Sequence, residues 1–322
     1  MPEIITFLDP ISDDRANRLR ALLPAGFSLT YATESGDDHL KELISEADFA
    51  VAAQVNINNE LLKTAKHLKL LHKWGVGVDN IDIEAARNLG IKVARTTGSN
   101  AIPVAEFAIG LMLSALRCIP YGHAELKNGR WRDSKRLPLA TYMLSGKTVG
   151  IIGFGAIGQT IAKLLSGFGC NIIYHKRIPL SRSDEASTGA TYACLNDLLS
   201  TSDIVSLNCP LTPETKGLID HIAISRMKST SIIINAARGG IVVENDLFEA
   251  LRDRKIHAAA MDVFEIEPMQ AGHPLLTLDN IVLTPHLAAA AADNFERTVR
   301  HFLENIAKVS RGESISERDM VA

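Results

Sequence analysis

The glycine-rich run GFGAIG, from Gly153 to Gly158, constrains this chain more than any other stretch. It directly follows an apolar segment, Thr148–Ile152, and opens a helical pattern over Ile157–Phe168. In a strand–loop–helix unit the first glycine allows a tight turn, the second lets backbone N–H groups approach a pyrophosphate, and the third permits close helix–strand packing. The helix dipole favours the phosphate charge. We therefore predict a dinucleotide site whose contacts are Gly153, Gly155, Ala156, Ile157 and Gly158.

The next predicted strand, Asn171–Tyr174, runs into His175, Lys176 and Arg177. A carboxylate is expected at the end of such a strand, where it would bind the 2′-hydroxyl of an adenosine ribose. Two cations stand there instead, and a guanidinium pairs well with a phosphate. The alternative is that both are solvated surface charges. Because the acid is missing, we predict NADP(H) as the preferred cofactor, with NAD(H) as the alternative.

Apolar strands alternate with helical segments on both sides of the glycine loop, which predicts an α/β fold with parallel sheets. At 322 residues the chain is long enough for two domains. Its net charge of −3 offers no broad basic surface for nucleic acid. The sequence shows neither a signal peptide nor a membrane span, and its four scattered cysteines are typical of a reducing compartment. We therefore expect a cytoplasmic protein, and we predict no metal site because no His, Cys and Asp cluster has ligand spacing.

Two neighbouring segments in the middle of the chain differ sharply in character. Ala101–Leu116 is apolar on nearly every face, which predicts a helix buried inside the protein. From Pro120 to Leu144 the chain becomes polar and irregular, which predicts either a flexible loop or an arm that packs on another subunit. Trp131 and Tyr142 would be costly to expose, so they favour the arm. We predict a dimerisation arm at 120–145 and a homodimer.

Hydride transfer from such a cofactor to a carbonyl group needs a proton donor for the new alkoxide, and a cation can hold a carboxylate beside that carbonyl. Arg238, in the segment NAARGG after a predicted strand, is a permanent and bidentate cation. His286, after the strand-like segment Ile281–Leu283, is the candidate proton donor. A carboxylate would orient the imidazole, and on composition Glu265 and Glu267 are equal candidates for it.

Several motifs follow one another in a recognisable order: KWGVGVDNID at 73–82, TTGSNAIPVAEFAIGLMLSALR at 96–117, TVGIIGFGAIG at 148–158, NCPLTPETKGLI at 208–219, INAARGGIV at 234–242, DVFEIEP at 262–268 and LTPHLA at 283–288. Over nearly its full length the chain thereby resembles the D-isomer-specific 2-hydroxyacid dehydrogenases. Its cation-ended second strand is most similar to the NADPH-linked glyoxylate/hydroxypyruvate reductases. The resemblance implies two Rossmann-like or flavodoxin-like parallel-sheet domains with the active site in a cleft between them. A discontinuous substrate domain would comprise 1–99 plus 287–322, and a dinucleotide-binding Rossmann domain would comprise 100–286.

The resemblance also assigns residues to roles. It selects Glu267, immediately before Pro268, and hence a catalytic set of Arg238, Glu267 and His286. The substrate would contact Arg238, His286 and the backbone N–H groups of Val76 and Gly77. The further cofactor contacts that it implies are Cys209, Pro210, Leu211, Thr215, Ala236, Ala237, Arg238, Asp262 and Ala288. Asp262 remains open between two interpretations, a hydrogen bond to a carboxamide or a cap on the turn that follows it.

These residues predict an NADPH-dependent reductase of small 2-oxo acids, glyoxylate and hydroxypyruvate first, that forms the D-2-hydroxy acid with His286 as general acid/base. One alternative is an NAD-dependent dehydrogenase of D-3-phosphoglycerate or of D-lactate-like acids. Several relatives carry an arginine where Ala52 falls, and its absence weakens the case for a phosphorylated substrate. The alternative of another class is a non-catalytic NAD(P)-binding scaffold. Neither a nucleic acid nor a membrane is predicted as a partner.

Overall fold

The computed structural model describes residues 2–131 and 137–322. Its strands are β1 (Glu3–Phe7), β2 (Phe27–Tyr31), β3 (Phe49–Ala52), β4 (Leu70–Lys73), β5 (Lys92–Arg95), β6 (Thr148–Ile152), β7 (Asn171–His175), β8 (Ala190–Tyr192), β9 (Ile204–Leu207), β10 (Ile232–Asn235), β11 (Ala258–Met261) and β12 (Ile281–Leu283). Its α-helices are α1 (Asp13–Arg20), α2 (Asp37–Ser45), α3 (Asn59–Leu62), α4 (Ile83–Asn88), α5 (Ala101–Arg117), α6 (Ile119–Lys127), α7 (Ala156–Ser166), α8 (Arg182–Thr188), α9 (Leu195–Thr201), α10 (His221–Ser225), α11 (Glu244–Arg252) and α12 (Phe295–Ser310).

The chain divides into two units, Met1–Asn100 with Ala291–Ala322, and Ala101–Ala290. The first unit contains a five-stranded sheet in the order β2-β1-β3-β4-β5, and the second a seven-stranded sheet in the order β12-β11-β10-β9-β6-β7-β8. Every pairing in both sheets is parallel. The predicted class, α/β with two parallel-sheet units, is confirmed.

The junctions between the units fall after Asn100 and Ala290, whereas the sequence placed them after residues 99 and 286. The second junction is later because the segment beyond His286 is tied to the second unit. The N–H groups of Leu287 and Ala288 donate to the carboxylate of Asp262 at 2.8 and 2.9 Å. The final segment then forms α12, which packs on β4 of the first sheet, and the residues after it bind the backbone of Val93 in β5.

The seven-stranded sheet is covered on both faces, as a parallel sheet requires. Its central strands β9, β10 and β11 are buried at every residue. Side chains of α5 and α7 form one apolar cluster with β6, and those of α9, α10 and α11 form the other. Helix α5 was predicted to be buried, and ten of its 17 residues are buried. This packing fixes the carboxyl ends of the strands relative to one another.

The segment from Pro120 to Leu144 was predicted to be irregular, but its first part is helical, because α6 occupies Ile119–Lys127. A proline is tolerated in the first turn of a helix, where its missing N–H has no partner to lose. Cys118 separates α6 from α5 with a left-handed φ of 52°. Trp131 and Met143 are 81% and 72% exposed, while Leu139 and Tyr142 pack against the core of the second unit. The centre of the predicted arm, 132–136, lies outside the described residues.

No single helix among residues 2–131 and 137–322 is long and apolar enough to cross a membrane. Taken together, α5 and α6 pass the same test of length and composition, but they are bent by 66° at the break between them.

A buried polar chain supports the first unit behind β4. His72, fully buried, uses Nδ1 to donate to the carbonyl oxygen of Lys73 at 3.0 Å, and its Nε2 accepts from the Asn305 amide at 3.1 Å. The Asn305 amide also donates to Asp319, which in turn pairs with His301 at 2.8 Å. Burial lowers the pKa of His72 from 6.5 to about 4, because a second ring proton would lie in a desolvated site and face an N–H donor.

We predict that His72 makes the protein less stable as the pH falls from about 6.5 to about 4. In this range the unfolded chain binds a proton that the folded chain rejects, so stability rises with pH and is lost on acidification. The shift to about 4 corresponds to about 3 kcal/mol at its acid limit. Urea unfolding of the wild type and of His72→Gln at pH 7 and pH 4.5 would measure it. Equal losses of unfolding free energy in the two proteins would contradict the prediction.

Candidate active site

The glycine loop lies between the end of β6 and the start of α7. Gly153 has a φ of +92°, and a Cβ atom there would overlap the backbone of Asn208 and Cys209. A Cβ atom at Gly158 would lie 2.5 Å from the Gly153 carbonyl oxygen, so this glycine lets the helix approach the turn. Gly155 has open space around its Cβ direction and begins α7 without a side-chain cap. An open backbone surface at a helix N-terminus fits a dinucleotide pyrophosphate, with Ala156 and Ile157 in the first helical turn.

Strands on both sides hold this loop in place. The Gly153 N–H donates to the carbonyl oxygen of His175 at 2.9 Å, and the Asn208 N–H donates to that of Ile152 at 2.7 Å. The end of β7, with half-buried Lys176 and exposed Arg177 after it, is therefore joined directly to the glycine turn. These two residues lie where the nucleotide-binding fold normally carries its ribose-binding carboxylate.

The turn after β9 contains the next predicted group. Thr215 closes it, since its hydroxyl donates to the Pro210 carbonyl oxygen at 2.6 Å and accepts from the Thr212 N–H at 2.7 Å. In this turn Pro210 is exposed and Leu211 is half-buried. Burial raises the pKa of the Cys209 thiol to about 11, which keeps it protonated at neutral pH and makes it a packing residue.

An acidic residue on the same turn is linked electrostatically to the cations after β7. The pKa of the exposed Glu214 carboxyl is lowered by a hydrogen bond from Thr212, by its own backbone N–H and by the charge of Arg177. The positive charge of Arg177 therefore favours the ionised form of Glu214, although less than the two hydrogen bonds do.

Arg238 is presented by a turn that the buried side chain of Asn235 shapes. The Asn235 Oδ1 accepts from the Ala237 N–H at 3.1 Å, and its Nδ2 donates to the Arg238 carbonyl oxygen at 2.9 Å. The Arg238 guanidinium donates back to the Ala237 carbonyl oxygen at 2.7 Å. A Cβ atom at Gly239 would overlap the Phe264 carbonyl group, so this glycine lets the turn pack against the next loop. Sequence analysis missed Asn235 and Gly239, although both lie in the motif that identified Arg238.

Glu267 and His286 form the pair that the sequence predicted. The imidazole Nδ1 lies 2.6 Å from Glu267 Oε2, and the Phe264 N–H donates to the other carboxylate oxygen at 2.9 Å. Both side chains are 32% exposed. Glu265, the other candidate, lies beside the start of α11: its carboxylate accepts from the Glu244 N–H at 3.5 Å, and its own N–H donates to the Glu244 carboxylate at 2.7 Å. The structure therefore distinguishes two acids that composition alone could not.

The charges around Glu267 favour its ionised form. Partial burial raises the pKa of this carboxyl, but hydrogen bonds from His286 and the Phe264 N–H, together with the charge of Arg238, outweigh burial and leave the pKa below its ordinary value. Glu267 is thus under the electrostatic influence of both other predicted catalytic side chains, Arg238 and His286. Because Nδ1 faces the carboxylate, Nε2 is the ring atom that can exchange a proton with a substrate.

The remaining predicted residues occupy several environments. Ala236, like Ala237, is half-buried in the turn after β10, and Ala288 is buried. The buried carboxylate of Asp262 receives hydrogen bonds from Thr284, Leu287 and Ala288, so this side chain caps the turn that contains His286. Along residues 2–131 and 137–322, no three His, Cys, Asp or Glu side chains group as metal ligands would.

Val76 and Gly77 belong to the first unit, in the loop that follows β4. That loop is fixed at its start by the Trp74 N–H, which donates to the Ala52 carbonyl oxygen at 2.8 Å. It is fixed near its end by the buried Lys73, whose ammonium donates to Asn80 Oδ1 at 2.5 Å. The two predicted carboxylate contacts are therefore at the carboxyl edge of the first sheet, beside the end of β3.

Comparison with known proteins extends this description. The model of the family "D-isomer specific 2-hydroxyacid dehydrogenase, NAD binding domain" matches residues 109–288. The hydroxypyruvate reductase of Thermotoga maritima is 39% identical over 274 residues, which cover 84% of this chain and 87% of that protein. The chain belongs to the D-isomer-specific 2-hydroxyacid dehydrogenase family.

Other members of the family are similarly close. The D-3-phosphoglycerate dehydrogenase of Methanocaldococcus jannaschii is 40% identical over 96% of this chain, but the chain spans only 58% of its length. Among solved structures, the NADPH-dependent glyoxylate/hydroxypyruvate reductase of Sinorhizobium meliloti, in complex with NADP and malonate, superposes with a TM-score of 0.86 at 29% identity. That comparison covers 100% of this chain and 97% of the other. The relatives of this chain are thus named both for hydroxypyruvate and for D-3-phosphoglycerate.

We predict that Glu267→Gln lowers kcat/KM for reduction by about 100-fold, within the range of general acid–base contributions. The amide removes the negative charge beside the imidazolium, so the proton donor should be lost at a lower pH than in the wild type. A pH–rate profile of both proteins measures the drop and the displacement. Glu265→Gln is the matched control, because its carboxylate faces Glu244. A profile of unchanged shape in Glu267→Gln would contradict this role.

Proposed function

We propose that this protein reduces a small 2-oxo acid, of the glyoxylate or hydroxypyruvate type, to the D-2-hydroxy acid. The observation that carries the proposal is the 2.6 Å contact between His286 Nδ1 and Glu267 Oε2, with Arg238 close enough to lower the pKa of Glu267. The same sheet carries, after β6, a glycine loop that fits a dinucleotide, and a bound nicotinamide cofactor would supply the hydride. A proton donor, a permanent cation and a hydride source are the requirements of this reduction.

Each side chain has a separate task in the proposed reaction. His286 gives the proton on Nε2 to the carbonyl oxygen as that oxygen gains negative charge. Glu267 stabilises the imidazolium before the transfer and holds the ring by its Nδ1. Arg238 binds the carboxylate of the substrate and draws electron density from its carbonyl group. The backbone N–H groups of Val76 and Gly77 are proposed as further ligands of the same carboxylate.

The preference for small unphosphorylated acids rests on two observations. The relatives from Thermotoga maritima and Sinorhizobium meliloti are named for hydroxypyruvate and glyoxylate, and the chain spans nearly their full lengths. Ala52 stands where several relatives carry an arginine, so this chain lacks a cation that could bind a phosphate there. A dehydrogenase of D-3-phosphoglycerate or of D-lactate-like acids is the alternative.

The proposed cofactor preference is for NADPH over NADH. Lys176 and Arg177 follow β7 directly, the position at which an acid would select the ribose 2′-hydroxyl and repel a 2′-phosphate. The charge of Arg177 contributes to the lowered pKa of Glu214 on the turn after β9, which supports a positive charge on the side of the glycine loop where β7 ends. A homodimer and a cytoplasmic location stay predictions.

The proposal is tested by initial rates with NADPH and with NADH, against glyoxylate, hydroxypyruvate, 3-phosphohydroxypyruvate and pyruvate. We expect the highest kcat/KM with NADPH and one of the first two acids. His286→Gln should lose at least about 100-fold in kcat while NADPH binding is unchanged. The control, His221→Gln, alters an exposed imidazole on α10 and should match the wild type. If His286→Gln keeps its turnover, the assigned proton donor is wrong; if no acid reacts with either cofactor, the scaffold alternative gains support.

Two charge changes near the predicted ribose site should shift the preference for NADPH over NADH in opposite directions. Arg177→Ser should lower kcat/KM with NADPH about tenfold, the scale of a charge-assisted hydrogen bond, and leave NADH nearly unaffected. Glu214→Gln should raise the preference for NADPH, because it removes the negative charge that faces Arg177. Rates with both cofactors measure the two ratios. The assignment of Arg177 to the 2′-phosphate fails if the ratio moves the same way in both variants or in neither.

A further inference from the structure

Asp262 is a fully buried carboxylate that directly follows β11. Such a group is costly unless hydrogen bonds satisfy it. The three donors that bind its carboxylate all belong to the segment around His286. The Thr284 hydroxyl donates to Oδ1 at 2.6 Å, the Leu287 N–H donates to the same oxygen at 2.8 Å, and the Ala288 N–H donates to Oδ2 at 2.9 Å. About four acceptor positions exist on a carboxylate, so most of them are already filled.

His286 needs such support because of its backbone conformation. Its φ is 54°, in the left-handed region that side chains with a Cβ seldom adopt and that persists only where the surroundings impose it. The His286 N–H donates to the Asp262 carbonyl oxygen at 2.8 Å. The next two N–H groups bind the carboxylate of the same residue. Asp262 therefore holds the backbone on both sides of the imidazole.

Thr284 fixes the carboxylate that makes these bonds. Its N–H continues the pairing of β12 with β11 by donating to the Met261 carbonyl oxygen at 3.0 Å, so its position follows from the sheet. From that position its hydroxyl reaches Oδ1, the oxygen that also accepts from Leu287. Without this hydroxyl the carboxylate would be free to rotate away from one of the two backbone donors.

We propose that Asp262 and Thr284 are positioning residues, which hold His286 in its left-handed turn so that Nδ1 meets Glu267 and Nε2 faces the substrate. The proposal rests on the proposed function in one respect, the role of His286 as proton donor. It gives the Asp262 carboxylate a task in the histidine turn besides the cofactor contact that the resemblance implies, and it gives Thr284 a role that neither composition nor spacing indicated. General acid catalysis is sensitive to such geometry, because a displacement near 1 Å can reduce a rate by about 100-fold.

The test uses Thr284→Val, which keeps the shape and removes the donor, with Thr284→Ser as the conservative variant and Asp262→Asn as the disruption of the carboxylate. Ser231→Ala is the matched control, since it removes a buried hydroxyl bond to the Ser202 carbonyl oxygen at the opposite end of β10. Three quantities are measured for each protein: hydrogen exchange of the Leu287 and Ala288 amides, kcat and KM with hydroxypyruvate, and the Kd of NADPH.

In Thr284→Val we expect faster exchange at Leu287 and Ala288 and a kcat between about 10-fold and 100-fold lower, with the KM and the Kd of NADPH within about twofold of the wild type. Thr284→Ser should restore both exchange and kcat. Asp262→Asn should act in the same direction and more strongly. Ser231→Ala should leave exchange at the two amides and kcat unchanged.

Three results would overturn the proposal. Unchanged exchange in Thr284→Val and Asp262→Asn would show that these side chains do not hold the turn. Faster exchange with an undiminished kcat would show that the turn does not position the proton donor. Weaker NADPH binding in Asp262→Asn with an unchanged kcat would assign this carboxylate to the cofactor. If the wild type reduces none of the acids, the proposed function fails, and amide exchange still decides whether the clamp exists.

Discussion

Backbone groups that leave the carboxyl edge of a parallel sheet lose their ladder partners, and a buried group without a partner is costly. The second unit meets this constraint with polar side chains at the ends of adjacent strands. Asn235 at the end of β10 binds the backbone of residues 237 and 238, and Asp262 after β11 binds that of residues 287 and 288. The Asp262 N–H also donates to the Asn235 carbonyl oxygen at 2.9 Å, which joins the two turns. Satisfying the sheet edge therefore also places Arg238 and His286.

The same edge explains which parts of the structure the sequence predicts. Fold class follows from apolar strands alternating with helices, and the glycine loop follows from three glycines spaced between a strand and a helix, a pattern typical of dinucleotide sites. The sequence did not predict helix α6, because polar residues and a proline interrupt its apolar pattern. It did not predict β8 either, because that edge strand has three residues and only one of them is buried. The apolar pattern of a sequence therefore predicts elements well where most of their residues are buried, and poorly for edge strands and surface helices.

The candidate site shows a similar division. Arg238 and His286 follow from the chemistry and from their positions after predicted strands, whereas the choice of Glu267 over Glu265 needed the family motif, because both acids lie on one exposed turn. Asn235, Gly239 and Thr284 were missed for a physical reason. Gly239 acts by a close approach to Phe264, and the Thr284 hydroxyl binds Asp262, 22 positions earlier in the chain. Asn235 differs, because its side chain binds the Ala237 N–H only two residues further on. Spacing along a sequence does not encode contacts between strand ends.

The charges of the three side chains proposed as catalytic favour a particular kind of substrate. Arg238 and a protonated His286 are both cations, and they would repel each other if no anion lay between them. Glu267 supplies that anion, and its lowered pKa means that it remains charged under mildly acidic conditions. With His286 protonated, the set therefore carries one net positive charge, which one substrate carboxylate would neutralise. A phosphorylated acid would bring additional negative charge, for which these three residues provide no further cation. This balance of charge is a physical reason, independent of any relative's name, to favour glyoxylate or hydroxypyruvate over 3-phosphohydroxypyruvate.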